Sequence, residues 1–303
     1  MAAGRARVRL RVGFGGDVAD LFQFQHTFQR DRGVQAAAQK LRVLLAGERF
    51  DPGDDLRLHG ERGQDKRGHL QRNCYAADGT GRLVCNMNFI KRLRVASSSQ
   101  TVDLNLHASG FRDMQTWHQL IHKPFIESSG DIGSDWDWRA RFIGCNLSEA
   151  LFRRKALTFQ FRVASRNGLA VPVAQFILSV PYRWPANPTD GCAFIWLLAR
   201  TPKAALAHYG VDDWPVVLPA VLDTAIQVSL ESGLQGRIGL HASAGGSQKQ
   251  NEELERKYMA YGLRKREKLG GYFAFPHRRE DGRSFYFGPE EAQAFSITHD
   301  DLR

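Results

Sequence analysis

Apolar and polar positions along this chain predict a mixed helix–strand domain that begins near Val102. Thr101 to Leu106 reads as a first strand. Phe111 to Lys123 puts Met114, Trp117, Leu120 and Ile121 on one helical face, and Pro124 should end that helix, having no amide to donate. A polar link follows from Glu127 to Asp135. A second helix is expected over Trp136 to Lys155, with Trp138, Phe142, Cys145 and Phe152 inward. Leu157 to Val163 alternates as a half-buried strand does, Arg166-Asn167-Gly168 suits a hairpin turn, and Ala170 to Val180 returns as the partner. Cys192 to Ala199 is almost wholly apolar, the pattern of a central strand covered on both faces. Trp184 and Trp196 read as packing residues, and Arg200 to Val217 reads as irregular.

The second half ends in a tighter pattern. Pro219 suits the opening of a helix that runs to Ser232, with Leu222, Ala225, Ile226 and Leu230 inward and Gly233 as its cap. Gly236 to Ala242 is a short buried strand, followed by a loop with Gly245-Gly246. Asn251 to Leu263 carries Leu254, Tyr258 and Tyr261 at helical spacing. Asn251 suits the N-cap, and Gly262 suits a left-handed C-cap. Gly271 to Phe275 and Ser284 to Gly288 read as two late strands, and Pro289 to Phe295 as a last short helix.

The spacing Asn251…Leu254…Tyr258…Tyr261-Gly262-Leu263, set after the strand Gly236-Arg237-Ile238-Gly239-Leu240-His241-Ala242, resembles the late motif of the GNAT superfamily of acyl-coenzyme A transferases. The helix Val221-Leu222-Asp223-Thr224-Ala225 and the tail Gly282 to Phe287 with Pro289-Glu290-Glu291-Ala292 resemble bacterial members of that superfamily. The resemblance spans about residues 100–300. It implies an α/β (α+β) fold, a mixed and mostly antiparallel central sheet flanked by helices. It implies transfer of an acetyl or other acyl group from acyl-CoA to a small-molecule or protein amine by direct attack. Tyr258 would then be the general acid for the departing thiolate, and Asn251 would touch the coenzyme A arm. Amides near Leu197, Leu198 and Ala199 would polarise the thioester carbonyl. The helix start at Val216, Val217 and Leu218 would hold the pyrophosphate.

One stretch departs from that family. Its pyrophosphate loop carries glycines in the pattern Q/R-x-x-G-x-G/A, whereas Pro215-Val216-Val217-Leu218-Pro219 has none. Gly210-Val211 is followed by Asp212-Asp213, two charges that repel a phosphate. Nor does Ile195 to Ala199 contain the carboxylate base that many relatives place there. The alternative reading is therefore a GNAT-fold ligand-binding or interaction module without catalysis.

Each candidate residue has a plainer role beside the chemical one. Tyr258 is a general acid or a core residue with a satisfied hydroxyl. Asn251 is a cofactor contact or only a cap. His241, at a strand end, is a general base for the amine or a hydrogen-bonded rim residue. Glu127, Asp131, Asp135 and Asp137 face an acceptor or are solvated charge, and Arg264-Lys265-Arg266 with Lys268 is a solvated helix exit or a phosphate contact.

Composition narrows the class. The chain has 303 residues, 43% hydrophobic, with net charge +10. Residues 1–86 hold 15 Lys/Arg against 10 Asp/Glu, so half the excess lies there, and they are poor in large aliphatic residues. They read as a low-hydrophobicity extension, or as sequence upstream of a natural start at Met87, leaving 87–303 as the domain. With no dense basic block, nucleic acid is disfavoured as a partner, while an anionic cofactor suits a mild positive bias. Cys74, Cys85, Cys145 and Cys192 form no C-x-x-C pair, and no His/Cys cluster has metal-ligand spacing, so no metal site is expected. Unpaired thiols and the lack of a membrane-length apolar run place the protein in the cytoplasm.

Overall fold

Globular structure begins earlier than the apolar pattern suggests. In the computed structural model, residues 88–96, 98–130, 132–152 (backbone alone from 147), 155–243, 247–266 and 282–303 are described. Strands β1 (Arg92–Arg94) and β2 (Thr101–Asp103) form a separate antiparallel ribbon. Ile90 and Leu93 around β1 are buried in the main core, and Val95 is buried as well. Lys91, Arg92 and Arg94 separate these apolar positions and hide their periodicity, while their own long stems leave the charges in water. The readings of residues 1–86, of Met87, of the Gly245-Gly246 loop and of the strand at 271–275 lie outside the described residues.

The expected first strand is split, because β3 (Asn105–Ala108) leaves the ribbon and pairs into the main sheet. Helix α1 (Phe111–Trp117) opens with Asp113 accepting from the Gly110 amide at 2.8 Å. It continues as a π-helical turn, His118–His122, and a last α turn, Lys123–Phe125. The wider turn rotates the apolar face. Met114, Trp117 and Ile121 are buried as expected, but Leu120 points to solvent and His122 is buried instead. Pro124 does not stop the chain, because it falls in the first turn of a new α segment, where no amide is demanded. Helix α2 (Trp138–Phe152) follows.

The hairpin of β4 (Lys155–Ala164) and β5 (Ala170–Arg183) turns on Gly168, at φ +73°. Then come β6 (Gly191–Arg200) and α3 (Lys203–His208). The latter is a short Lys-Ala-Ala-Leu-Ala-His helix in a stretch expected to be irregular. Helix α4 (Leu218–Glu231) precedes β7 (Ile238–His241), α5 (Gln248–Ala260), β8 (Arg264–Lys265), β9 (Ser284–Phe287) and α6 (Pro289–Ile297). The main sheet runs β3-β4-β5-β6-β7-β9-β8 and is antiparallel except for the parallel β6–β7 pair. The mixed, mostly antiparallel sheet with flanking helices is the one the resemblance implied.

Helix α4 lies against one face of this sheet and is buried nearly all round, although Leu230, expected inward, is exposed. Its Asp223 is fully buried. It accepts from Arg303 at 2.5 Å and from the Ile90 amide at 3.1 Å, which ties both ends of the described core to one helix. Burial raises the Asp223 pKa, and the Arg303 charge opposes that. Met114, Trp117, Trp138 and Phe142 form a second core on the opposite face, with α1 and α2.

Candidate active site

A single extra residue opens the sheet. Ile177 pairs with Leu197 and Leu178 with Ile195, so Trp196 has no partner on β5 and forms a bulge. Such an insertion bends its strand and deepens the local twist. Strand β7 follows β6 only from Ala193↔Ile238 to Ile195↔Leu240. Beyond Ile195, β6 runs on with no strand beside it on that flank among the described residues. Its first half is covered on both faces, as its apolar run predicted, but Trp196 to Arg200 is half-buried or exposed. Leu198 packs with the α4 core and Leu197 and Ala199 with the α1–α2 core, so the two helix layers meet the gap from opposite faces.

A cavity of about 810 Å³ lies at this gap. Leu197, Leu198, Ala199, Val216, Val217, Leu218, His241 and Tyr258 all line it, whereas Asn251 does not. Asn251 is not the N-cap either. Helix α5 starts one turn earlier, at Ser247, whose hydroxyl accepts from the Gln250 amide while the Gln250 side chain accepts from the Ser247 amide. That Ser-x-x-Gln box is a signal the sequence carried. The Asn251 Oδ1 accepts from Arg283 at 3.3 Å. Gly262, at φ +87°, ends α5 in the left-handed conformation expected of it.

Tyr258 is nearly buried, with its ring 5.4 Å from that of Phe285. Burial pushes its phenol up to about 12, and the positive Arg283 opposes the shift. A phenol held there stays protonated at neutral pH and is available as a donor. His241 ends β7 beside Ser284 of β9 and lines the cavity from the other side of the gap.

Around the start of α4 the cavity is cationic. No side chain caps this helix, and the Val216 amide is already committed to the Arg94 carbonyl at 2.8 Å. Arg200 and Lys203 both lie over the Trp214 ring, at 4.3 and 4.1 Å from its centre. Burial lowers the Arg200 pKa, with Tyr261 opposing. Burial and then the Arg200 charge lower that of Lys257, with Glu253 opposing. None of the three has an ion pair among the described residues. The Asp212 carboxylate, expected to repel phosphate, is paired with Arg166, and neither Asp212 nor Asp213 lines the cavity. Sequence reasoning missed Arg200, Lys203 and Lys257, since nothing in their spacing distinguishes them from surface charge.

Another part of the lining is aromatic. Trp136, Tyr182 and Trp196 line it, and Trp196, read from sequence as a packing residue, is 41% exposed there. Tyr182 and Phe194 hold its ring edge-on at 5.1 and 5.2 Å. Trp184 does pack, donating its indole N–H to the Phe287 carbonyl at 3.1 Å. Of the acidic candidates, Asp137 caps α2 and binds Arg139, and Asp131 lies outside the described residues. The expected basic helix exit is instead strand β8, with Arg264 paired to Glu291 and Lys265 to Glu255, while Arg266 lines the cavity. Lys268 lies outside the described residues.

No protein family is matched by sequence, and no related curated protein is found. Among solved structures the chain is similar to apo FdhC, a nucleotide-linked sugar GNAT, with 13% identity over 70% of this chain and 97% of that one, at a TM-score of 0.36. It is also similar to a mutant of the toxin AtaT bound to the C-terminus of the antitoxin AtaR and acetyl-CoA, with 12% identity over 64% and 99% of the two chains, at a TM-score of 0.34. The main sheet is mixed and mostly antiparallel, with helices packed on both of its faces. Among the described residues no helix is long and apolar enough to cross a membrane, and no group of His, Cys, Asp or Glu is arranged to hold a metal. Cys145 and Cys192 are free thiols.

Proposed function

We propose that this domain is a cytoplasmic N-acyltransferase that moves an acyl group, acetyl in the simplest case, from acyl-coenzyme A to an amine. The observation that carries the reading is the cluster Arg200, Lys203 and Lys257, without an ion pair among the described residues, beside the uncapped start of α4 and next to the gap in the sheet. Charges left unpaired in a partly buried wall are costly until an anion joins them. Coenzyme A brings a pyrophosphate and a further phosphate. Side-chain cations thus take over the task that glycine-loop amides perform in the family, which accounts for a loop without glycine.

The amine lone pair attacks the thioester carbonyl carbon. A C–N bond forms and the C–S bond breaks. Nitrogen loses one proton and sulfur gains one, giving an amide and a free thiol. Amides of β6 past Ile195 polarise the carbonyl, Tyr258 protonates the sulfur, and His241 takes the nitrogen proton. Exchange with solvent resets both side chains.

The test is acetyl-CoA binding by calorimetry, with thiol release measured over a panel of amines. Acetyl-CoA should bind, raise the melting temperature by mass action and yield thiol only when an amine is present. Failure to bind removes the reading. Binding without turnover on any amine favours the non-catalytic module.

A further inference from the structure

Resting on the acyltransfer reading, we infer that the acceptor is an amine whose body carries an anionic group, a carboxylate or a phosphate, on a flat or apolar frame. The inference comes from the cavity lining, where Trp136, Tyr182 and Trp196 present ring surface and Arg141 and Arg183 bring positive charge. No Asp or Glu is among the described residues that line the cavity. The acid that opens α2 beside Arg141 is already committed. Asp137 accepts from the Arg139 and Ala140 amides at 3.0 and 3.3 Å and binds the Arg139 guanidinium through both oxygens. Arg139 is thereby neutralised. Arg141, two residues on, faces the cavity with no ion pair among the described residues.

A diamine or polyamine entering here would set its second positive charge near the Arg141 guanidinium, with no carboxylate among the described lining residues to balance it, and like charges at short range are costly. A carboxylate or phosphate instead gives Arg141 the planar, two-pronged partner that guanidinium binds best. The three rings suit a flat or apolar body between the anion and the amine. The same charges favour the neutral form of the bound amine by disfavouring its ammonium. The attacking lone pair is thus easier to free on a strand that carries no carboxylate base.

The test uses the full chain and four amines that share one frame: benzylamine, p-xylylenediamine, 4-(aminomethyl)benzoate and 4-(aminomethyl)phenyl phosphate. With acetyl-CoA, at least one anionic member should exceed the diamine in kcat/KM by about ten-fold or more, the scale of one charge-assisted contact. The better of the two anions identifies the source of the charge. Arg141→Gln should raise KM for that amine about ten-fold and leave its kcat, and the rate with benzylamine, unchanged, and Arg141→Lys should recover part of the loss. Equal or better use of the diamine, or indifference to Arg141→Gln, overturns the inference. Titration of tryptophan fluorescence without acyl-CoA separates this from the parent reading, because Trp136 and Trp196 line the pocket. An anionic amine that binds more tightly than the diamine, through Arg141, upholds the inference even if acetyl-CoA fails to bind. No preference in that titration overturns it even if acetyl-CoA binds.

Discussion

The two halves of β6 are one strand in two environments. From Cys192 to Ile195 it is buried, and at Phe194 and Ile195 it is paired with a strand on both flanks. From Trp196 to Arg200 it keeps β5 but loses β7, and its residues become cavity wall. Composition hardly changes across the boundary, since Trp196, Leu197, Leu198 and Ala199 are as apolar as what precedes them. What changes is that the pairing with β7 ends at Ile195, next to the bulge at Trp196. Apolar side chains in the first half serve the core. Those in the second half serve an opening, where the backbone is free to meet a ligand.

That contrast predicts where substitutions should be felt. The largest effect is expected in the closed half. Ile195→Ala should cost about 2–5 kcal/mol in urea unfolding, as cavity-forming changes in cores do, while Leu198→Ala in the open half costs less than half of that. Equal losses would show that the two halves are one core after all. Tyr258→Phe should cut kcat by about 10²-fold with acetyl-CoA affinity retained, and should cost at most about 1 kcal/mol of stability. Unchanged turnover, measured where chemistry limits the rate, would return Tyr258 to the core.

Smaller effects separate binding from folding. Arg200→Gln or Lys257→Gln should weaken acetyl-CoA binding by about ten-fold each, the worth of a charge-assisted contact, without lowering the melting temperature. Relief of charge repulsion should if anything raise it. A stability loss without a binding loss would make these cations structural. The smallest effect is one of pH. The Tyr258 pKa is raised from 10.0 to about 12 in the folded protein, so the native state holds its proton more tightly than the unfolded chain does. Its contribution is complete below pH 10 and is lost as pH rises towards 12. By pH 10.5 wild type should have lost about 1 kcal/mol relative to Tyr258→Phe, read from paired denaturation curves. Parallel curves for the two proteins would place the hydroxyl in a water-like setting.

Much of the frame was legible. Alternation marked β4, Asn167-Gly168 marked the turn to its partner β5, and Pro219 and Gly233 bounded α4 to within a residue or two. These are local effects, set by backbone sterics and by which face of an element is apolar. Errors fell where tertiary context overrode them. Leu120 lost its place to a π turn, and Leu230 was left without a neighbour to cover it. The cap of α5 was misplaced because Asn251 is as good a capping residue as Ser247, and only the reciprocal bond from Gln250 favours the latter.

By itself the sequence determined most of the element order from β4 onward, the hairpin, the buried central helix and the motif that carries Tyr258. Each depends on residues within a turn or two of one another. Only the tertiary structure decided that Trp196 would be a bulge and not core, that β7 would leave β6 after Ile195, and that Arg200, Lys203 and Lys257 would share one wall without a carboxylate among its described residues. Those facts depend on pairing between strands far apart in the chain and on which charges find partners in space. No pattern read along one chain records either.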